Sequence, residues 1–513
     1  MPASFLHGIE VIEVDSGPVP VTVVKSAVIG IVGTAPTWAV ETPAVAPAVN
    51  TPTLVSSALD AENFGPLVRG YTIPYALAAI QSQGAGQAIV INVFDPTRHY
   101  TSIAAAPFTF NAQGAINLAH MGVSNVVVTS DPAGTTYVAN TDYTLDAVNG
   151  VISIIPTTAG GHIAAGATVL VAFNYADPTK VLDSDIIGAI TSGVYSGIQA
   201  LQTTYGTMGF FSKILIAPGY SQNADVATAE VAMANKIRAV ALIDSPPSTQ
   251  VATAISNRGV TGNAFNISSV RAVLCYPQET FYDTGMIPTG VALSATGTPI
   301  TTQFNATAVG PYSSWVAGAI AARDLANGYW WSPSNLEVDG ILGPDVQLYA
   351  SAVDAASDVN NLNSKGIVTV FNAFGTGLRV WGNRSSAYPN STEPDNFISV
   401  RRTMDVIEES VELAMLQFID QPISNALITA ILASVNAFLR SLIQRGALVA
   451  GSASYDPSEN PPSQISAGQL VFDIDVMPPP PAERITFQTF IDVSLLQQLG
   501  QTNALTTSAS ATA

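Results

Sequence analysis

Among 513 residues there is a single cysteine, Cys275, so the chain cannot form an internal disulfide, and a disulfide-stapled secreted fold is excluded. Histidine is nearly as scarce, and His7, His99, His120 and His162 lack the spacing of a zinc site. Charged residues make up 11% of the chain, less than half of the roughly 25% usual for soluble domains, so much of the surface is Ser, Thr, Asn, Gln and Ala. Such a surface repels neighbours weakly. Cations are the scarcer sign: 18 Lys and Arg face 37 Asp and Glu, a net charge of −19, which argues against nucleic acid or an anionic membrane as the main partner. The opening Met1-Pro-Ala-Ser-Phe-Leu-His-Gly8 has no basic region followed by an apolar one, and no stretch suggests a spanning helix. The expectation is a protein made and kept in cytosol, with no membrane insertion, unless something else carries it out.

Catalytic signatures are missing as well. There is no Walker loop, HExxH, GxSxG elbow or GxGxxG after a strand, and Gly375-Thr-Gly377 lacks the third glycine and the helix. Asp473 and Asp475 share one face of a strand, where a solvated face explains them; Asp183 and Asp185 read as a helix start. Cys275 on an apolar strand reads as a small core residue. Arg401-Arg402 before an acidic helix reads as a source of salt bridges, within the chain or to a neighbour. No catalytic residue, cofactor or metal site is assigned.

Hydrophobic residues, in contrast, form 48% of the chain, enough for sizeable cores and too many for a disordered acidic protein. The fold class is α/β. Ala27-Val-Ile-Gly-Ile-Val-Gly33 and Ala88-Ile-Val-Ile-Asn-Val-Phe94 are apolar runs typical of buried strands, with a helix around Pro74 to Gln83 between them, a βαβ rhythm. From about 100 to 180 the rhythm changes. Asn125 to Thr129, Tyr137 to Leu145, Val151 to Ile155 and Thr168 to Phe173 are short strands separated by turn residues, which reads as a small inserted all-β, sandwich-like domain. The α/β pattern then resumes with Lys213 to Ala217, a helix over about 223–236, Ala239 to Ile243 and Val270 to Leu274, followed by an extended loop or hairpin over 284–311.

The last third carries two helical stripes. Thr403 reads as the cap of a helix over about 404–419, with Ile407, Val411, Ala414 and Phe418 on one face and acids near its start; Pro422 opens a second, with Leu427, Ile431, Val435, Phe438 and Leu442. Arg445 and Gly446 end it. Leu470, Phe472, Ile474 and Val476 then alternate along one strand, and Ile485, Phe487, Thr489, Ile491 and Val493 along another. Pro478 to Pro481 between them favour a polyproline spacer of about 12 Å. The amino terminus mirrors this: Gly8-Ile-Glu-Val-Ile-Glu-Val14 is an extended apolar alternation set off by Gly17-Pro18. Strands of this kind either fold back onto their own chain or pair with another chain's sheet edge. The tail after Gln501 is Thr, Ser and Ala-rich.

Several segments together resemble the tail sheath proteins of contractile-tailed bacteriophages and related contractile injection machines. They are Gly8 to Glu13 with Ser26 to Pro36, Ile216-Ala-Pro-Gly219, Trp315 to Asp324 with Gly328 to Asn335, Gly377 to Arg384, Phe397 to Arg402 with Ile407 to Ser410, and Pro481 to Phe487. They run in order across nearly the whole chain outside 100–180. Arg384-Ser385 departs mildly from the Arg-Thr of many relatives.

The resemblance implies a non-enzymatic structural protein of the virion, assembled in the host cytoplasm. It implies hexameric rings stacked helically around an inner tail tube, with baseplate and tail terminator proteins as further partners. Contraction on baseplate triggering would drive the tube through the host envelope. It further implies arms exchanged between subunits, through Ile9, Val11, Ile12 and Val14 at one end and Ile485, Phe487, Ile491 and Val493 at the other. Leu470, Phe472, Ile474 and Val476 would offer the partner strand, and Arg401, Arg402, Glu408 and Glu409 are candidates for inter-subunit or tube-facing charges. The domain expectation is an arm over 1–25, a sheath α/β body over 26–99 plus 181–395, an outer domain over 100–180, a tube-facing subdomain over 396–482 and an arm and tail over 483–513. The alternatives are an α/β hydrolase-like enzyme with an accessory β-domain and a glycan-binding virion protein.

Overall fold

The computed structural model describes residues 20–498 except 85, 288–291, 294–298, 301–305, 352 and 373–374. Ile9, Val11, Ile12, Val14 and the Gly17-Pro18 break lie outside the described residues. The chain divides into two compact units, Met1–Pro480 and Pro481–Ala513.

The first unit is a mixed α/β structure with several sheets. Its centre is an eight-stranded sheet. We label its strands β1 Val28–Gly33, β2 Thr53–Val55, β3 Gln87–Asn92, β4 Ile214–Ile216, β5 Val240–Asp244, β6 Ala272–Cys275, β7 Ile367–Asn372 and β8 Leu378–Trp381. The order is β2-β3-β1-β4-β5-β6-β7-β8, with parallel pairing from β3 to β7 and antiparallel β2 and β8 at the edges. Such strands are apolar almost throughout because both faces are covered. Helix α1, Ile73–Ser82, and helix α3, Tyr312–Asn327, pack with Ile29, Ile31, Val90 and Leu242 on one face. Helix α2, Ala224–Ile237, packs with Val32, Ile91, Leu215 and Ile243 on the other. Cys275 is fully buried on β6.

Between β3 and β4 the chain builds a separate pair of antiparallel sheets. One is four-stranded, from Tyr100–Thr109, Val123–Ser130, Thr136–Tyr137 and Thr168–Ala176; the other is three-stranded, from Ala115–Asn117, Tyr143–Asp146 and Val151–Ile154. Phe110, Ile116, Val128, Ile152, Val171 and Phe173 form a core of their own between them. The run Tyr137 to Leu145, expected as one strand, is broken: Asp142 turns back to accept a hydrogen bond from the Val138 amide at 2.8 Å. The 284–311 segment ends in a strand, Ala306–Gly310, that pairs antiparallel with Glu279–Asp283 just ahead of the segment.

The last third of this unit holds helix α4, Ile398–Met415, helix α5, Asn425–Gln444, and two paired strands, β9 Ala450–Ser454 and β10 Asp473–Met477. Thr403 does not cap α4. It lies a turn inside, with its hydroxyl donating to the Ser399 carbonyl at 2.7 Å, the bond threonine also makes in helix interiors. Nor does Pro422 open α5: Ser424 caps it, its hydroxyl accepting from the Leu427 amide at 3.2 Å. Gly446 follows with φ +80°, the left-handed turn that glycine takes past a helix end. Against the sequence reading, α5 is long and apolar enough to cross a membrane by length and composition alone. Here it is a packing helix, with Leu427, Val435, Phe438 and Leu442 buried.

The described part of the second unit, 481–498, holds a short 3-10 helix, Val493–Gln498, and no β-strand. The expected strand over Ile485 to Val493 is therefore absent among these residues. An alternating segment becomes a strand only when another backbone satisfies its amides and carbonyls.

Candidate assembly interface

Helix α4 crosses the amino-terminal edge of the main sheet. Three successive parallel strands are each preceded by a cation: Lys213 before β4, Arg238 before β5 and Arg271 before β6. The facing stripe of α4 carries acids at positions 405, 408, 409 and 412, the helical spacing that puts them in one row. Arg271 grips Asp405 with both terminal guanidinium nitrogens, at 2.5 and 2.6 Å. Lys213 pairs with Glu409, and Arg238 with Glu412 and, at 3.4 Å, with Glu408. Arg401 reaches Asp405 at 2.8 Å and Glu408 at 3.0 Å. Arg402 turns the other way and binds Asp324 of α3 through two bonds of 2.7 and 2.6 Å. Burial pulls the Lys213 ammonium below its ordinary value, against the opposing pull of Glu409 and Asp405.

Arg401, Arg402, Glu408 and Glu409 therefore all make ion pairs inside the chain. The sequence reading missed their partners Lys213, Arg238 and Asp324, and also Arg271, which pairs with Asp405. The legible signal was a lone cation just ahead of each of three apolar strands.

Residues 20–26 run along the same helix. The Val24 amide donates to Ser410 Oγ at 3.1 Å, Arg402 donates to the Ser26 carbonyl at 3.0 Å, and Val21 packs against the apolar cluster of α4 and α5. Val476 packs against that cluster from β10, Phe472 lies against Tyr455 with the rings tilted at 53°, and Ile474 is 37% exposed. Of the four proposed partner residues, Ile474 and Val476 sit on β10, whereas Leu470 and Phe472 precede it. In the second unit Ile485, Phe487, Ile491 and Val493 are all exposed, Ile491 by 99%. An apolar row so exposed needs a covering surface.

A cavity of about 620 Å³ opens beyond the carboxyl ends of β4 and β5, walled by Tyr75, Phe281 and Trp315 and by the ion pair Arg69–Asp283 at 2.9 Å. Its described lining includes no histidine or cysteine, and Asp283 already accepts bonds from Arg69, Tyr75 and the Gly285 amide.

Comparison with known proteins gives three family matches. Residues 193–386 match the phage tail sheath protein central domain, residues 390–492 the phage tail sheath C-terminal domain, and residues 98–182 a family of proteins of unknown function. The tail sheath protein of Burkholderia phage BcepMu is 45% identical over 503 residues, covering 97% of this chain and 99% of that one. A putative prophage major tail sheath protein of Pseudomonas aeruginosa is 29% identical over 63% of this chain and 77% of its own. The helical sheath of the anti-feeding prophage in its contracted state superimposes with a TM-score of 0.55 at 17% identity, covering 96% of this chain and 100% of that one.

Proposed function

Because the chain belongs to the phage tail sheath family, we propose that it polymerises as hexameric rings, stacked helically around an inner tail tube, and contracts when a baseplate triggers it. The protein is a structural component of the phage tail and not an enzyme, since its relatives are sheath proteins. The hydrolase and glycan-binding readings fall behind on the same ground.

Arms exchanged between copies hold the lattice in this reading. The observation that carries it is the apolar row Ile485, Phe487, Phe490 and Ile491, exposed along a segment that follows β10 directly in the chain. Ile9, Val11, Ile12 and Val14 form the matching arm at the other end. The β9–β10 ribbon is the sheet these arms extend, since a two-stranded ribbon leaves edges open and gains from added strands. A ring subunit needs unlike surfaces on its two sides, and a stack of rings is the open form of that geometry. Residues 396–482 face the tube, and the inserted sheets over 100–180 face outward. Pro478 to Pro481 and Gly17-Pro18 flank the hinges. Contraction exchanges one packing of rigid bodies for another while main-chain hydrogen bonds tether neighbours. A few kcal/mol per subunit suffices, because many coupled subunits add.

Negative-stain microscopy of the purified protein at rising concentration tests the reading. Hollow cylinders or stacked rings are the expected result. Subunits that stay monomeric even when offered purified tail tubes as template would overturn it.

A further inference from the structure

The carboxyl-terminal subdomain has its own apolar cluster, including Ile407, Val435, Phe438, Leu439 and Leu442, distinct from the clusters on the two faces of the main sheet. Along α4, the seam between them is made of charge. Arg271–Asp405, Lys213–Glu409, Arg238–Glu412 and Asp324–Arg402 each take one partner from 193–386 and the other from 390–492. At its first turn α4 also inserts Ile398 into the cluster on one face of the sheet, so one end is anchored by packing.

Apolar contacts are non-directional and tolerate rotation about such an anchor. A two-pronged arginine–carboxylate pair does not, because both bonds must stay in plane. Any other seat for α4 strands a buried charge, which is costly, whereas the intact pairs add little stability over well-packed apolar residues. The row therefore contributes geometry more than strength. The same subdomain holds Val21, at the end of the amino-terminal arm, and β10, which leads into the carboxyl-terminal arm.

We infer that this row of ion pairs fixes the angle at which the arm-bearing subdomain projects from the central domain, and through it the rise and twist at which copies of the chain stack. Lys213, Arg271, Asp324 and Arg402 are positioning residues for assembly. The second half of the inference rests on the sheath reading above; the first half does not.

The test replaces three pairs with apolar residues in the full chain, Lys213→Met with Glu409→Leu, Arg271→Met with Asp405→Leu and Arg402→Met with Asp324→Leu. Spin labels go on exposed Thr253→Cys and Gln444→Cys, while Cys275, fully buried, stays unlabelled. The variant should keep its circular dichroism and unfolding temperature yet lose the single narrow distance distribution of the parent. Its tubes should show altered or irregular rise and twist by electron microscopy. A distance distribution as narrow as the parent's, or tubes of unchanged rise and twist, would overturn the inference. If the parent makes no tubes, the sheath reading fails while the distance measurement still decides the seam. Should the sixfold variant not fold, Arg402→Lys with Arg271→Lys, which keeps both charges and removes the two-pronged geometry, is measured in the same two ways, and an unbroadened distance distribution or unchanged tubes would again overturn the inference.

Discussion

Arg402 and Asp324 close a two-pronged ion pair with their side chains only 4% and 1% exposed, tying α4 to α3 at a point water hardly reaches. Removing the cation alone leaves a carboxylate buried without compensation. Arg402→Met should therefore lower stability by about 3–5 kcal/mol, read as a shift in the urea midpoint. Arg402→Met with Asp324→Leu should recover most of that loss. A single variant that loses under about 1 kcal/mol would mean that Asp324 is solvated after all.

Asp244, at the end of β5, is wholly buried; burial raises its carboxyl from 3.8 to about 6, against the pull of hydrogen bonds from Ser313 and Ser221. A group raised on folding contributes stability that is complete below its unfolded value and is lost as pH climbs through its folded one. Asp244 alone should cost the fold about 1 kcal/mol between about pH 5 and pH 7.5. Glu230 and Glu279, also buried and raised by desolvation, act in the same direction. Subtracting the unfolding profile of Asp244→Asn from that of the parent isolates the one group. Parallel profiles across that window would show that Asp244 is ionised throughout.

The α/β body was legible because its strands are apolar runs and its helices have a clear period, so β1, β3, β4 and β5 fall within a few residues of their expected places. Tyr100–Thr109 escaped notice because Ala104-Ala-Ala106 followed by Pro107 has weak strand propensity. So did β9, built from Ala, Gly and Ser and held by its pairing with β10. Helix starts were misplaced where Thr403 and Pro422 carried familiar cap chemistry inside or ahead of the real boundary. The ion pairs were least legible, since Arg402 and Asp324 stand 78 residues apart and only the fold brings them together.

The inserted sheets should be removable. Tyr100 and Ala176 are direct partners on neighbouring antiparallel strands, so the two ends of the insertion lie about 5 Å apart and a two-residue turn can join them. The core of the insertion, with Phe110, Ile152 and Phe173, is separate from the cores of the main sheet. Replacing residues 101–175 with a short Gly-rich turn should leave a folded body. Trp38 of the body loses its neighbour Gly122, and Asp177 loses its bond from Thr101. If the insertion faces outward, the shortened chain still forms tubes, of smaller outer diameter in micrographs. Loss of the cooperative unfolding transition would instead make the insertion part of the body's fold.

Residues 483–513 give the sharpest test of arm exchange. Phe487 and Phe490 are 86% and 82% exposed, and the body through Pro480 forms a compact unit by itself. Covering two such rings on assembly gains roughly 2–3 kcal/mol each before ordering costs, a large share of what one subunit contact requires. Deleting 483–513 should thus leave a soluble, cooperatively folding monomer that forms no cylinders at concentrations where the full chain does. Phe487→Ser with Phe490→Ser should raise the concentration needed for assembly while leaving the unfolding midpoint of the body in place. Cylinders of normal appearance from the truncated chain would mean that copies hold together through their bodies, and the exposed row would then need another partner.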